Sequence, residues 1–129
     1  MTKEDKALLL KDIFGRVLYG LKVRYYGETY TLGGNLYLNE ASNAFENYPM
    51  KMYLDDIENV MPFLRSKESM TAAENIEYQK RVKVIQDVER ILHWCDTPES
   101  IDWLNENHFD YRGLIGKGLA LEAPDGMYD

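Results

Sequence analysis

The sequence predicts an α+β fold: an N-terminal helix, a small antiparallel sheet of three to four strands, a long helix, a short helix and room for a short final strand. Three observations support this prediction: apolar residues at helical spacing near the N-terminus, alternating residues in the next stretch, and two helix start signals further on. The chain has 129 residues, of which 45% are hydrophobic and 29% charged, as in ordinary globular proteins. We therefore expect one domain over residues 1–129, with a helix and meander in 1–65 and a helical part in 66–129.

The first element is predicted to be an amphipathic helix over residues 3–18. Thr2 and Asp5, three positions apart, have the pattern of an N-terminal capping box. Gly20 is a natural end for the helix, because glycine adopts the left-handed conformation common after a helix. The predicted apolar face consists of Leu9, Ile13, Phe14 and Val17.

Residues 21–54 alternate between apolar and polar side chains, which favours strands. Gly27 and the Gly33-Gly34 pair supply turns between them, so a meander is the simplest arrangement. We expect a loop over residues 40–49, where no period is visible. A short helical segment is predicted over residues 57–64, limited by Pro62.

The long helix is predicted to begin at Thr71, which forms a capping-box pattern with Glu74, and to run to about Cys95. Two ion pairs one turn apart are expected along it, Glu77 with Arg81 and Lys83 with Asp87. We expect its apolar stripe to pack against the N-terminal helix and the sheet. The stripe contains Tyr78, Val82, Ile85, Val88, Leu92 and Cys95.

A second start signal lies at Thr97-Pro98-Glu99, which combines a capping residue, a proline at the first helical position and an acidic first turn. The short helix should extend to about Asn107. The alternation within residues 119–123 then allows the final short strand.

The formal net charge of −7 is concentrated in the last third of the chain. Residues 1–86 contain 12 basic and 12 acidic side chains, whereas residues 87–129 contain 3 basic and 10 acidic ones. Because such a surface repels phosphates, we expect no direct nucleic-acid binding and a protein partner with a basic surface. The alternative is that the charge only keeps the protein soluble. The candidate interaction residues are Asp96, Glu99, Asp102, Glu106 and Asp110.

Ten tyrosines are a high number for this length, and five of them lie in the strand region outside the predicted loop: Tyr25, Tyr26, Tyr30, Tyr37 and Tyr53. Exposed tyrosine provides rigid contact area in protein interfaces, which makes Tyr25, Tyr30 and Tyr37 further candidates. The alternative is that tyrosine is simply a good strand former.

The sequence predicts no catalytic residue, no cofactor and no metal site. His93, Cys95 and His108 carry groups that bind zinc, but on a continuous helix His93 and Cys95 would point to different faces. The glycine-rich run at residues 113–118 lacks the spacing of a phosphate-binding loop. We also expect a cytoplasmic protein, because no apolar run is long enough for a bilayer and the lone Cys95 cannot form an internal disulfide.

Two segments carry a resemblance to a known group: WLNENHFDYRGLI at residues 103–115 followed by KGLALEA at 117–123, and MPFLR at 61–65 followed by SMT at 69–71. With the N-terminal helix leading into Leu21-Lys22-Val23, they resemble a family of small uncharacterised proteins from phages and prophages of anaerobic gut bacteria. The resemblance covers about half of the chain. It implies a phage context inside a bacterial host cell and no defined activity.

Together these observations predict a non-enzymatic phage-encoded binding module that engages a host or phage protein. A sharper form of the hypothesis is an acidic inhibitor of a host defence or nucleic-acid enzyme, whose carboxylates occupy a groove made for phosphates. The alternatives are a structural or accessory virion protein and, from a different class, a small hydrolase.

Overall fold

The computed structural model describes residues 1–32, 37–39, 44–47 and 50–128, and it has an α+β fold, as expected. Three helices and ten strands follow one another within these residues. The helices are α1 (Lys3–Arg16), α2 (Ala72–Gln79) and α3 (Pro98–Glu106). The strands are β1 (Lys22–Tyr25), β2 (Glu28–Thr31), β3 (Tyr37–Asn39), β4 (Ala44–Asn47), β5 (Met50–Tyr53), β6 (Val60–Ser66), β7 (Lys83–Gln86), β8 (Leu92–Cys95), β9 (Phe109–Asp110) and β10 (Leu121–Glu122).

The predicted N-terminal helix is present, and its capping box forms as expected. Thr2 Oγ1 accepts a hydrogen bond from the Asp5 backbone N–H at 3.0 Å, and the Asp5 carboxylate accepts one from the Thr2 backbone N–H at 3.3 Å. A 3₁₀ turn over Val17–Tyr19 follows, and Gly20 ends it with a left-handed φ of 69°.

The main sheet is mixed, which differs from the predicted antiparallel meander. β6 pairs antiparallel with β1 and parallel with both β9 and β10. β2 forms a hairpin with β1, with Tyr30 opposite Val23. The pairing of β9 and β10 with β6 joins residues far apart in sequence, so no local sequence pattern predicts it.

The helix predicted over residues 57–64 was wrong, because a 3₁₀ turn over Leu54–Asn59 is followed by β6. A short apolar run fits a buried strand as well as a buried helix. Pro62 argues against a central strand, since it cannot donate a ladder hydrogen bond. It is nevertheless paired with Val23 in the register of β1 and β6.

Two smaller antiparallel sheets complete the architecture. β3, β4 and β5 form a three-stranded sheet, so the loop expected over residues 40–49 contains a strand at Ala44–Asn47. Residues 40–43 and 48–49 of that predicted loop lie outside the described residues.

The long helix predicted from Thr71 to Cys95 was also wrong. Its start is right, since Thr71 and Glu74 form the capping box, but α2 ends at Gln79. β7 and β8 then form a two-stranded antiparallel hairpin. The predicted pair of Glu77 and Arg81 forms at 3.1 Å, whereas the predicted partner of Lys83 is engaged elsewhere.

α1 packs against the main sheet, and this contact forms the hydrophobic core. The short helix α3 lies close to its predicted bounds, and a short strand, β10, forms within residues 119–123. The core residues are Leu9, Ile13, Leu21, Val23, Leu32, Ile57, Val60, Leu64, Leu114, Leu119 and Ala120.

Candidate functional site

The β7–β8 hairpin is the most unusual surface among the described residues. Its register places Val84 opposite Trp94 and Gln86 opposite Leu92, so these four side chains share one face. The opposite face carries Lys83 with Cys95 and Ile85 with His93. Every residue of both strands is exposed except Cys95, which is half-buried.

The hairpin is closed by a three-residue turn that its own polar groups hold. The Asp87 carboxylate accepts hydrogen bonds from the backbone N–H groups of Glu89 and Ile91, both at 2.9 Å. Its other oxygen lies 2.8 Å from His93 Nε2, and this hydrogen bond lowers the pKa of Asp87. Arg90 has a φ of 63°, the left-handed conformation that this type of turn requires at its last residue.

The base of the hairpin is anchored to α2 and α3. Arg81 Nη1 donates to the Glu77 carbonyl at 2.6 Å, and its guanidinium lies over the Trp103 ring at 5.9 Å. Thr97 Oγ1, at the start of α3, donates to the Arg81 carbonyl at 2.5 Å. The hairpin is therefore fixed at both its turn and its base, so its conformation is set before any partner binds.

Six large apolar side chains are exposed on this hairpin within eleven consecutive residues. They are between 44% and 101% exposed, and they account for half of the twelve large apolar side chains that are exposed in the described part of the chain. Exposed apolar residues scattered singly need no explanation, but six of them concentrated on one hairpin mark a candidate interaction site, with Val84, Leu92 and Trp94 on one face and Ile85 on the other. We call this set the hairpin surface: Val84, Ile85, Val88, Ile91, Leu92 and Trp94.

The acidic candidates divide into two groups. Glu99, Asp102 and Glu106 are exposed on α3, where spacings of three and four residues put them on one side of the helix. Asp96 and Asp110 instead serve the fold. Asp96 accepts hydrogen bonds from the Tyr78 hydroxyl at 2.5 Å and from Ser100 at 3.0 Å. The Asp110 carboxylate accepts from the backbone N–H groups of Leu114 and Ile115, at 2.9 and 3.0 Å.

The tyrosine candidates do not form an open aromatic face. Tyr25 donates to the Asp56 carboxylate at 2.7 Å and packs against the core, and Tyr30 also packs against the core. Tyr37 lies in β3, and its side chain is outside the described residues.

The prediction that His93 and Cys95 point to different faces of a helix was wrong. The two residues lie two apart on a strand and therefore on the same face. His93 is hydrogen-bonded to Asp87, and His108 is buried with its Nε2 2.8 Å from the Tyr19 carbonyl. Within the described part of the chain, no three His, Cys, Asp or Glu side chains come together as ligands for one metal ion.

A cavity of about 270 Å³ lies between the end of β6 and the C-terminal residues. Arg65 on its wall is held by a bidentate ion pair with Glu74, at 2.7 and 2.8 Å, which lowers the pKa of Glu74 to about 2. The Ser69 hydroxyl donates to the Ser66 carbonyl, and the Thr71 hydroxyl caps α2. These groups are occupied in holding the fold, so the cavity carries no argument for a reaction.

Comparisons with protein-family models, with curated proteins and with solved structures find no match to this chain. In the described ranges, none of the helices has the length and apolarity needed to span a bilayer.

The sequence interpretation missed the hairpin surface because it assigned the whole segment to a long helix, with Ile85, Val88 and Leu92 in its buried stripe. Two signals were available. Val82, Val84 and Ile85 are β-branched residues typical of strands, and Asp87 begins a polar segment between two apolar ones. The capping box at Thr71 favoured a continuous helix despite the β-branched residues and the polar segment.

Proposed function

We propose that this protein is a non-enzymatic binding module that engages another protein through the hairpin surface. The observation that supports this most strongly is the concentration of exposed apolar side chains on a hairpin fixed at its turn and base. Trp94, 62% exposed, is the residue type most enriched among binding hot spots. Holding such side chains in a defined conformation lowers the entropy cost of binding.

Charge favours a basic protein as the partner over a second copy of this chain. Two copies would each bring a net charge of −7. Glu99, Asp102 and Glu106 are exposed on α3, which begins three residues after β8, and these carboxylates would be repelled by a second acidic molecule. A partner with an apolar groove flanked by lysine or arginine satisfies both features.

The resemblance to a phage family makes a host protein a natural partner, and an enzyme that binds nucleic acid offers a basic groove of the required kind. The acidic inhibitor of a host defence or nucleic-acid enzyme is therefore the specific form of the proposal. In this form, the hairpin surface supplies affinity and the carboxylates of α3 supply steering and selectivity.

Affinity capture from a bacterial host lysate, repeated with variants, tests the proposal. We expect Leu92→Thr combined with Trp94→Thr to reduce capture of a specific protein at least tenfold, because threonine keeps the strand but removes the apolar contact. Leu18→Thr combined with Ile76→Thr is the matched control, since both residues are exposed and lie off the hairpin. Equal capture by the two double variants and the unchanged protein would refute the hairpin as the contact.

The role of the α3 carboxylates needs its own variant. Reversing the charge at Glu99, Asp102 and Glu106 to lysine should slow association and weaken its dependence on salt. Asp110 is left unchanged, because its carboxylate holds the backbone N–H groups of Leu114 and Ile115. If neither salt nor charge reversal changes the rate of association, the partner does not bind through a basic surface. Sedimentation of the protein with virus particles would favour the virion alternative.

A further inference from the structure

The hairpin exposes backbone groups as well as apolar side chains. The Asp87 N–H donates to the Ile91 carbonyl at 3.0 Å. Hydrogen-bonded pairs alternate with non-hydrogen-bonded pairs along an antiparallel ladder. Ile85 with His93 is therefore a hydrogen-bonded pair, whereas Val84 with Trp94 and Gln86 with Leu92 are not. The N–H and C=O groups of these last four residues point to the outer edges of the hairpin.

The two edges differ in how they are protected. Strand edges are normally guarded against further pairing by lysine, proline, bulges or covering segments. β7 contains Lys83, but β8 reads Leu92-His93-Trp94-Cys95 and holds neither a proline nor a lysine or acidic residue. In the described part of the chain, β8 pairs only with β7, so its outer edge has no strand partner there.

Charged groups near both ends of β8 determine which kind of added strand its outer edge favours. Glu89 is exposed in the turn before the strand, and Asp96 and Glu99 are exposed after it. Arg90 is the one basic residue between Asp87 and Glu99. An added strand is therefore favoured when it brings positive charge near its ends.

We propose that β8 accepts an extended segment of a partner protein as an added strand, with apolar side chains beside Leu92 and Trp94 and lysine or arginine near its ends. This inference rests on the proposed function and specifies how the hairpin surface is used. Main-chain hydrogen bonds to Leu92 and Trp94 supply affinity, and the apolar face supplies selectivity for alternate side chains. The segment belongs to a different protein, because a second copy would bring its own acidic groups to the same edge.

A capped seven-residue peptide that alternates valine and lysine is the direct probe. We expect it to protect the backbone amides of Leu92 and Trp94 from hydrogen exchange and to shift their NMR signals more than those of Val84 and Gln86. The same peptide with its central amides N-methylated keeps its side chains but loses its donors, and it should bind at least tenfold more weakly. Equal binding of both peptides, or no binding of either at millimolar concentration, overturns strand addition.

Two variants separate this inference from the proposed function. Leu92→Pro removes an outward N–H at the first position of β8, where proline is tolerated, and Val84→Pro removes one on the opposite edge. We expect only Leu92→Pro to abolish peptide binding, with the protected Asp87 amide reporting that the turn is intact. Leu92→Thr keeps the N–H and should keep peptide pairing while it weakens capture of the partner.

The results with these variants distinguish a failure of strand addition from a failure of the proposed function. If the double variant Leu92→Thr with Trp94→Thr no longer captures the partner but Leu92→Pro still does, the proposed function holds and strand addition is overturned. A partner retained by the double threonine variant overturns the proposed function itself. Dimerisation that depends on protein concentration and is abolished by Leu92→Pro would identify a second copy as the occupant and would overturn the assignment of the added strand to a different protein.

Discussion

Asp12 and Arg16 form an ion pair one turn apart on α1, and both side chains are fully buried. The Arg16 guanidinium binds both Asp12 carboxylate oxygens, at 3.0 and 3.1 Å, and also donates to the Phe109 carbonyl at 2.6 Å. Arg112 joins from the C-terminal segment, with its Nη1 2.7 Å from Asp12 Oδ1. The cluster therefore ties the first helix to residues about a hundred positions further along the chain.

Replacing Asp12 with asparagine should destabilise the protein by about 3–5 kcal/mol, because it leaves the positive charge of Arg16 buried and uncompensated. Urea unfolding monitored by circular dichroism measures the free energy of unfolding. The double variant Asp12→Asn with Arg16→Met should be more stable than the sum of the two single changes implies, since it removes both charges. Glu58→Gln is the control: its partner Lys6 is exposed, so the loss should stay below about 1 kcal/mol.

His108 is only 3% exposed, and its Nδ1 is buried without a hydrogen-bond partner among the described residues. Burial lowers its pKa from 6.5 to about 4. The unfolded chain therefore binds a proton at a higher pH than the folded chain does, and the free energy of unfolding falls as the pH drops from 6.5 to about 4. A shift of this size corresponds to a loss of about 3 kcal/mol across that window.

His108→Asn should remove most of this pH dependence, and asparagine suits the φ of 60° at this position. Urea unfolding at several values between pH 7 and pH 4 gives the comparison. His93→Asn is the control, because that ring is half exposed. The low pKa of Glu74 affects stability only below its ordinary value of 4.5, so the window above it reports on histidine. A pH profile unchanged by His108→Asn would contradict the assignment.

The helix starts could be predicted from sequence because a capping box is a local signal. All three threonine caps, at Thr2, Thr71 and Thr97, form where the spacing indicates. The elements that were predicted wrongly depend on partners that are distant in sequence. β6 is a strand because it pairs with β1, β9 and β10, and a run that contains Pro62 does not reveal those neighbours.

The candidate site was hidden for a related reason. The hairpin turn has no glycine or proline, and Arg90 occupies the left-handed position where glycine is usual. Val84, Ile85 and Leu92 were assigned to a helix and its buried face, yet they form exposed strands. Apolar residues normally indicate the core, so a sequence alone favours burial even where the fold exposes them.

The left-handed Arg90 predicts that glycine would stabilise the hairpin. Arg90→Gly should relieve a conformational cost of about 1 kcal/mol and slow hydrogen exchange at the Asp87 amide. Asp87→Ala should have the opposite effect, because it removes the acceptor for the N–H groups of Glu89 and Ile91. Glu89→Gly controls for the flexibility of glycine itself, since its φ is not positive. Faster exchange in Arg90→Gly than in the unchanged protein would show that the turn is not strained at Arg90.

Tyr128 joins the C-terminal segment to the main sheet. Its hydroxyl donates to the Phe63 carbonyl at 2.7 Å and accepts from the Lys22 backbone N–H at 2.9 Å, and its ring stacks on His108 with centroids 4.0 Å apart. Burial raises the pKa of Tyr128 to about 12. Tyr128→Phe keeps the ring but leaves the Lys22 N–H without this acceptor, so we expect a loss of about 1–3 kcal/mol in the free energy of unfolding.

The loss in Tyr128→Phe should be accompanied by faster hydrogen exchange at the Ala123 amide, which donates to the Leu64 carbonyl at 2.7 Å where the segment leaves β10. Tyr26→Phe is the matched control, because that hydroxyl is hydrogen-bonded to Asp56 on an exposed surface where water can replace it. If the two variants lose the same small free energy, the hydroxyl of Tyr128 does not hold the segment. Its ring contact with His108 would then be what fixes the C-terminal residues, and Tyr128→Leu would be the change that releases them.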